Sequence, residues 1–218
     1  MSKQVLILGA TGQITGHAIQ FLLDETDDYL LLLTRHPQNL NHVDDQRETV
    51  IKGDVLKTAE LDQAVAQADV VYANLRNPQI EQQARNIVDA MDRHGVKQLV
   101  WISSVGIYDE VPGKFGEWHN AQLGGGKSDS YLGTYWAAAD VISASNLNYT
   151  IIRPAWLTNK EEVDFELIHR GEAIKGTEVS RKSIGKLVAQ AVEEPDKFTR
   201  VDLGVDQPGT DGDKPAWY

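Results

Sequence analysis

The start of the chain constrains its fold most. Val5-Leu6-Ile7-Leu8 is an unbroken apolar run, Gly9-Ala10-Thr11-Gly12 follows, and a helical pattern opens at once with Gln13 and Ile14. Ile14, Ala18 and Leu22 recur at i, i+4 and i+8, with Ile19 and Leu23 beside them. That is strand, turn, helix. Gly9 lets the chain reverse tightly, and Gly12 has no Cβ to hold a ligand away from the backbone. The helix that starts there offers unpaired N–H groups and the positive end of its dipole, a setting that suits a phosphate. In this context the turn reads as a dinucleotide-binding turn, the plain alternative being a βα turn that holds nothing. The third glycine of the usual G-x-x-G-x-x-G spacing is replaced by Thr15, with Gly16 one position later. Thr15 must therefore pack where the helix lies closest to the sheet.

Strands and helices then alternate. The apolar run Tyr29 to Thr34 ends in Thr34-Arg35-His36-Pro37. At this distance from the glycines a carboxylate would accept from the 2′-hydroxyl of an NAD ribose. Arg35 stands there instead, with the Thr34 hydroxyl before it, and a guanidinium suits a 2′-phosphate in charge and in bidentate geometry. The expectation is NADP (NADPH) rather than NAD, against the alternative of a solvated surface arginine. Glu48 to Lys52 reads as a third strand, followed by Gly53-Asp54-Val55 and a helix with Leu61, Ala64, Val65 and Ala68 on one face. Asp54 either accepts from an adenine amino group, with Val55 against the ring, or caps that helix. A fourth strand, Asp69 to Asn74, leaves through Asn74-Leu75-Arg76-Asn77-Pro78, where Asn74 and Leu75 would let a cofactor cross the sheet edge. The next helix carries Ile80, Ala84, Ile87, Val88 and Met91 and closes at His94-Gly95, His94 reading as a surface residue facing the dipole. Gln98 to Ser103 delivers Ser103 and Ser104 to the C-terminal edge, where ligands bind in open parallel sheets. A hydroxyl here binds a substrate carbonyl or merely caps the backbone.

Residues 109–130 read as a glycine-broken loop, a lid over the substrate side with Trp118 and His119 as candidate contacts. His119 is a candidate proton donor there, or a solvated loop histidine. Ser130 to Ser145 is helical, with Leu132, Tyr135, Trp136, Ala139 and Ile142 on one face. Tyr149 to Pro154 is a sixth strand running into Ala155-Trp156-Leu157. Lys160 to Lys175 is charged and weakly helical, and 157–178 is expected to complete the lid. A helix with Ile184, Leu187, Val188 and Ala191 and a last strand, Arg200 to Gly204, follow. The alternation predicts an α/β fold of three layers around a parallel sheet, one domain over 1–204 and a tail over 205–218 tipped by Trp217 and Tyr218.

Charge and composition narrow the partners. A formal net charge of -11 opposes nucleic acid and anionic membrane, and no basic run offsets it. No apolar run approaches the ~20 residues of a membrane span. Met1 to Gln4 leads straight into a strand, so no signal peptide is expected. The absence of cysteine excludes disulfides, a thiol nucleophile and thiolate metal sites, and fits a cytoplasmic protein. No metal site is expected. The partner is expected to be a small-molecule substrate or a regulatory protein, and the chain a monomer or homodimer.

The chain resembles the atypical short-chain dehydrogenase/reductase proteins, in their NmrA-like, NAD(P)H-binding branch. The matching residues are Gly9-Ala10-Thr11-Gly12-Gln13-Ile14, Thr34-Arg35, Gly53-Asp54-Val55, Ile102-Ser103-Ser104, Tyr131 and Tyr149-Thr150-Ile151-Ile152-Arg153-Pro154. The resemblance runs from Val5 to about Gly204. It implies a Rossmann sheet in the order 3-2-1-4-5-6-7, phosphate contacts from Gly12, Gln13 and Ile14, and a 2′-phosphate contact from Arg35. It also places Pro154, Ala155, Trp156 and Leu157 near the nicotinamide. Such enzymes pair a tyrosine with a lysine four residues on, which binds the ribose and lowers the phenol pKa. Tyr131 matches the tyrosine, but Tyr135 holds the lysine position. An unassisted phenol, with a pKa near ~10, can donate a proton to a reduced carbonyl but is a poor base for oxidation. Lys127, four residues before Tyr131, could supply charge from the loop. Two functions follow from this resemblance. One is an oxidoreductase passing hydride to a small carbonyl, quinone or flavin-like acceptor, with Ser104 orienting it and Tyr131 donating the proton. The other is a non-catalytic NADP(H)-sensing module. A sugar-nucleotide epimerase is disfavoured, because little chain follows Trp156 to build a substrate domain.

Overall fold

The central strands are apolar along their length because both of their faces are covered. In β1 (Gln4–Leu8), Val5 and Ile7 point to one side of the sheet and Leu6 and Leu8 to the other, and all four are fully buried. Each such side chain contributes about 1.5–3 kcal/mol on burial, and a register slip of one residue would exchange the two sets. The computed structural model describes residues 2–40, 43–76 and 78–218. Met1, before the first strand, and Asn77, in the fourth strand's exit loop, lie outside the described residues.

After β1 come α1 (Gln13–Glu25), β2 (Tyr29–Thr34), β3 (Glu48–Lys52), α2 (Thr58–Val65), β4 (Val70–Ala73), α3 (Ile80–His94) and β5 (Gln98–Ile102). The second half holds α4 (Gly113–Leu123), α5 (Tyr131–Ser143), β6 (Asn148–Pro154), β7 (Trp156–Thr158), β8 (Glu166–His169), β9 (Glu178–Ser180), α6 (Arg181–Glu193), α7 (Pro195–Phe198) and β10 (Val201–Asp206). The main sheet has the order β3-β2-β1-β4-β5-β6-β10-β8, parallel except for β8, which runs antiparallel to β10. The expected order of seven therefore holds, with β10 as the seventh strand. The apolar stripes of α1 and α6 cover one face, and those of α2, α3 and α5 cover the other. β1 sits between β2 and β4, so the strand order reverses there and opens a crevice at the C-terminal ends.

Three expectations are corrected. Residues 109–130 are not a continuous loop, because α4 forms inside them with Phe115 and His119 buried. Gly116 is not a breaker: a Cβ there would collide with the Val111 carbonyl, so the glycine permits close approach instead. Lys160 to Lys175 is not helical. Glu166-Leu167-Ile168-His169 pairs with β10 and covers its open edge, satisfying backbone groups that a helix would have left exposed on that strand. The C-terminal segment, expected only as a tail, lies against the body. Thr177 donates through its amide and its hydroxyl to the Thr210 carbonyl, and the rings of Trp217 and Tyr218 pack against Trp156.

Candidate functional site

The βα turn is built by close packing. A Cβ at Gly9, where φ is +87°, would collide with the Asn74 carbonyl, and the Asn74 amide donates to the Leu8 carbonyl at 3.0 Å. This locks the turn to the exit of β4. Thr15 is fully buried, and its Oγ1 accepts from Asn74 Nδ2 at 3.1 Å. The side chain standing in place of the third glycine thus ties α1 to the neighbouring loop. The Gly12 N–H is spent on the Gly9 carbonyl at 3.0 Å. Gly12 therefore serves through its missing Cβ, and the amides of Gln13 and Ile14 are the donors left at the start of α1, which carries no side-chain cap. The turn fits a diphosphate on these grounds.

Two connected clefts meet at this turn. One, of about 510 Å³, is lined by Gly9, Thr11, Thr34, Arg35, Asp54 and Val55 among others. The second, of about 440 Å³, is lined by Gln13, Ile14, Ser103, Ser104, Tyr131, Pro154, Ala155 and Trp156 among others. Gly12, Asn74, Leu75 and Arg76 line both. The residues expected at the cofactor, together with Ser104 and Tyr131, therefore line one continuous groove, whereas Trp118 lines neither cleft.

At the first cleft, Thr34 Oγ1 accepts from the His36 amide at 3.1 Å and so holds the bend that carries Arg35. Among the described residues Arg35 forms no ion pair. Asp54 does not cap α2, whose N-cap is Lys57. Its Oδ1 accepts from the Leu56 amide at 3.0 Å, shaping the turn.

The second cleft is more committed. Ser104 is buried, and its hydroxyl donates to the Val105 carbonyl at 3.1 Å; the Ser103 hydroxyl is buried without a partner among the described residues. Tyr131 is exposed at the rim, its ring centroid 4.6 Å from that of Tyr135. Tyr135 is buried, and its hydroxyl donates to the Leu75 carbonyl at 3.1 Å. Burial, with the Tyr131 phenol beside it, pushes the Tyr135 ionisation well above the usual tyrosine range. Lys127 is exposed and does not line the cleft.

His119 is neither solvated nor free to donate. Its Nδ1 accepts from Trp156 Nε1 at 2.9 Å, because an indole N–H can only donate. The ring proton therefore sits on Nε2, which donates to the Val105 carbonyl at 3.1 Å. Burial lowers the pKa of this imidazole further. It is a neutral strut between α4 and the Pro154–Trp156 segment, which removes it as a proton donor.

Beneath the cleft lies a charged network that spacing alone could not predict. Arg153, fully buried, pairs with Glu110 and, through Nε at 2.6 Å, with Asp202. Glu110 also accepts from the amides of Gly106 and Tyr108 at 3.0 and 2.8 Å, and Tyr108 donates to Asp202 at 2.7 Å. The network fastens the segment after Ser104 to the strand that ends at Pro154. Arg76 and Arg181 also line the second cleft and were not singled out by sequence. The signal for Arg76 was its place in a strand-exit loop, and for Arg181 its place just after a serine that starts a helix.

A sequence model of the family described as NAD(P)H-binding matches residues 9–195. The chain is similar to a Rossmann-fold NAD(P)-binding family protein from Shigella flexneri, at 40% identity over 99% of this chain and 98% of that one, with a TM-score of 0.84. It is also similar to a short-chain dehydrogenase/reductase from Veillonella parvula, solved in complex with NADP, at 33% identity over 99% of this chain and 100% of that one, with a TM-score of 0.88. The turn, the sheet order and these matches agree: the chain belongs to the NAD(P)H-binding family of atypical short-chain dehydrogenase/reductase proteins.

Proposed function

We propose that the chain is an NADP(H)-dependent reductase of a small carbonyl, quinone or flavin-like acceptor. The observation that carries this reading is the continuous groove, with Arg35 at one end, the Gly12 turn in the middle and Tyr131 and Ser104 at the other. In this reading Arg35 takes the 2′-phosphate, Gln13 and Ile14 the diphosphate, and Asp54 and Val55 the adenine. Ser103, Pro154, Ala155 and Trp156 line the nicotinamide end. The reduced cofactor would supply a hydride there. Ser104 turns its hydroxyl from the Val105 carbonyl to a substrate oxygen, and Tyr131 gives that oxygen a proton. The relative solved with NADP supports the choice of cofactor.

One observation favours a second reading, a non-catalytic module that senses NADP(H): the lysine position holds Tyr135, whose proton is already given to Leu75. Consumption of NADPH with a panel of aldehydes, quinones and flavins separates the two. Turnover with any acceptor supports the reductase. Tight NADPH binding with no turnover leaves the sensor.

A further inference from the structure

We infer that Arg76 and Arg181 form an oxyanion-binding pair on the rim of the second cleft, separate from the Arg35 end of the groove. The two side chains come from different elements, the exit of β4 and the first residue of α6, yet line one cleft. Arg181 is held in place, its Nη1 donating to Asn159 Oδ1 at 2.8 Å and to the Leu157 carbonyl at 3.3 Å. The chain carries 32 Asp and Glu against 21 Lys and Arg. Even so, among the described residues neither Arg76 nor Arg181 makes an ion pair.

The placement of Arg181 is unfavourable in three ways. It stands at the positive end of the α6 dipole, where a cation is disfavoured. Its neighbour Lys182 faces the same cost but is offset by Glu161 at 3.1 Å. Partial burial strips water from the Arg181 guanidinium, and the like charge of Arg76 bears on it, both holding its pKa below the ordinary value. The third group nearby, His17 on α1, is held low by burial, with Glu161 opposing and Lys182 and Arg181 adding to the shift, so it stays neutral and offsets none of the positive charge. An oxyanion between the guanidiniums relieves all three costs, and each guanidinium can meet it with paired N–H donors.

Two sources offer that chemistry: the cofactor diphosphate, and a carboxylate or phosphate on the acceptor. Arg76 also lines the first cleft, on the side of Gly12, whereas Arg181 lines only the second, beside Trp156 and Leu157. The pair itself stands on the cleft geometry; the identity of its anion rests on the reductase reading.

The test is binding, not turnover. NADP+ is titrated calorimetrically into the full chain. Riboflavin and riboflavin 5′-phosphate, one ring system with and without an anion, are followed by quenching of tryptophan fluorescence, since Trp156 lines the cleft. The proteins are wild type, R76Q, R181Q and, as a control cation already paired, K182Q. The inference expects R76Q and R181Q to weaken an anionic ligand about tenfold or more, with K182Q within twofold. A loss confined to NADP+ assigns the pair to the diphosphate. A loss for riboflavin 5′-phosphate but not riboflavin assigns it to the acceptor. Because R76Q removes a like charge that bears on Arg181, it should also raise the melting temperature of the ligand-free protein. Affinities within twofold of wild type for all three ligands, or no binding of any, overturns the inference. Failure of wild type to bind NADP+ defeats the reductase reading alone, since the flavin arm is read without cofactor.

Discussion

The Tyr135 hydroxyl donates to the Leu75 carbonyl at 3.1 Å, and its ring lies 4.6 Å from that of Tyr131. A neutral, buried phenol thus fills the place where a short-chain dehydrogenase carries a lysine ammonium. Two consequences follow. No charge from this position assists Tyr131, and the exit of β4 is tied to α5, which closes one wall of the cleft.

Tyr131→Phe is therefore expected to lower the reductase rate about 10²-fold, the usual scale for losing a general acid, and to leave NADPH affinity within twofold. Steady-state rates and a calorimetric titration check the two halves. An unchanged rate removes Tyr131 from the chemistry and makes water the proton source.

Arg35 stands at the far end of the groove and, among the described residues, pairs with no acid. Arg35→Ala should weaken NADPH about 10- to 100-fold, the scale of a charged hydrogen-bonded contact, and NADH less than threefold. Equal losses for both dinucleotides would sink the 2′-phosphate assignment.

The Arg153 network sets a stability prediction. Arg153 is fully buried between Glu110 and Asp202, so Arg153→Met leaves two carboxylates in the interior without their cation. The expected cost is about 3–5 kcal/mol, read from urea denaturation. A change below about 1 kcal/mol would show that water reaches the network freely.

Asp206 gives a dependence on pH. Burial, and the neighbouring carboxylates Glu166 and Asp211, push its pKa up to about 7, although the Gly176 amide donates to it at 2.7 Å. In the unfolded chain the same group titrates near ~3.9. Between these values the folded state holds the extra proton, so this group favours folding at low pH. That contribution falls as pH rises from about 4 to 7 and is absent above. Asp206→Asn keeps an acceptor for Gly176 and cannot ionise. Melting temperatures of wild type should fall relative to the variant across that window, and parallel curves would refute the assignment.

Much of the fold was legible because its signals are local. The alternation of buried strands with amphipathic helices marks the three layers, and Gly9, Gly12 and Arg35 mark the groove by their spacing from β1 and β2. What was not legible depends on distant partners. Glu110 and Asp202 look like surface acids until Arg153 is placed between them. His119 reads as a loop residue until Trp156, 37 residues on, donates to it. Glu166 to His169 reads as charged and weakly helical, and becomes a strand only because β10 offers an open edge. Gly116, within the stretch that reads as a glycine-broken loop, has its role set by the Val111 carbonyl packed against it.

The account rests on a dinucleotide seated at the Gly12 turn, and titration calorimetry of the purified chain with NADPH and with NADH tests it most directly. The prediction is one site per chain that binds both, NADPH the tighter. Absence of heat with either dinucleotide, at concentrations up to the millimolar range, would contradict it.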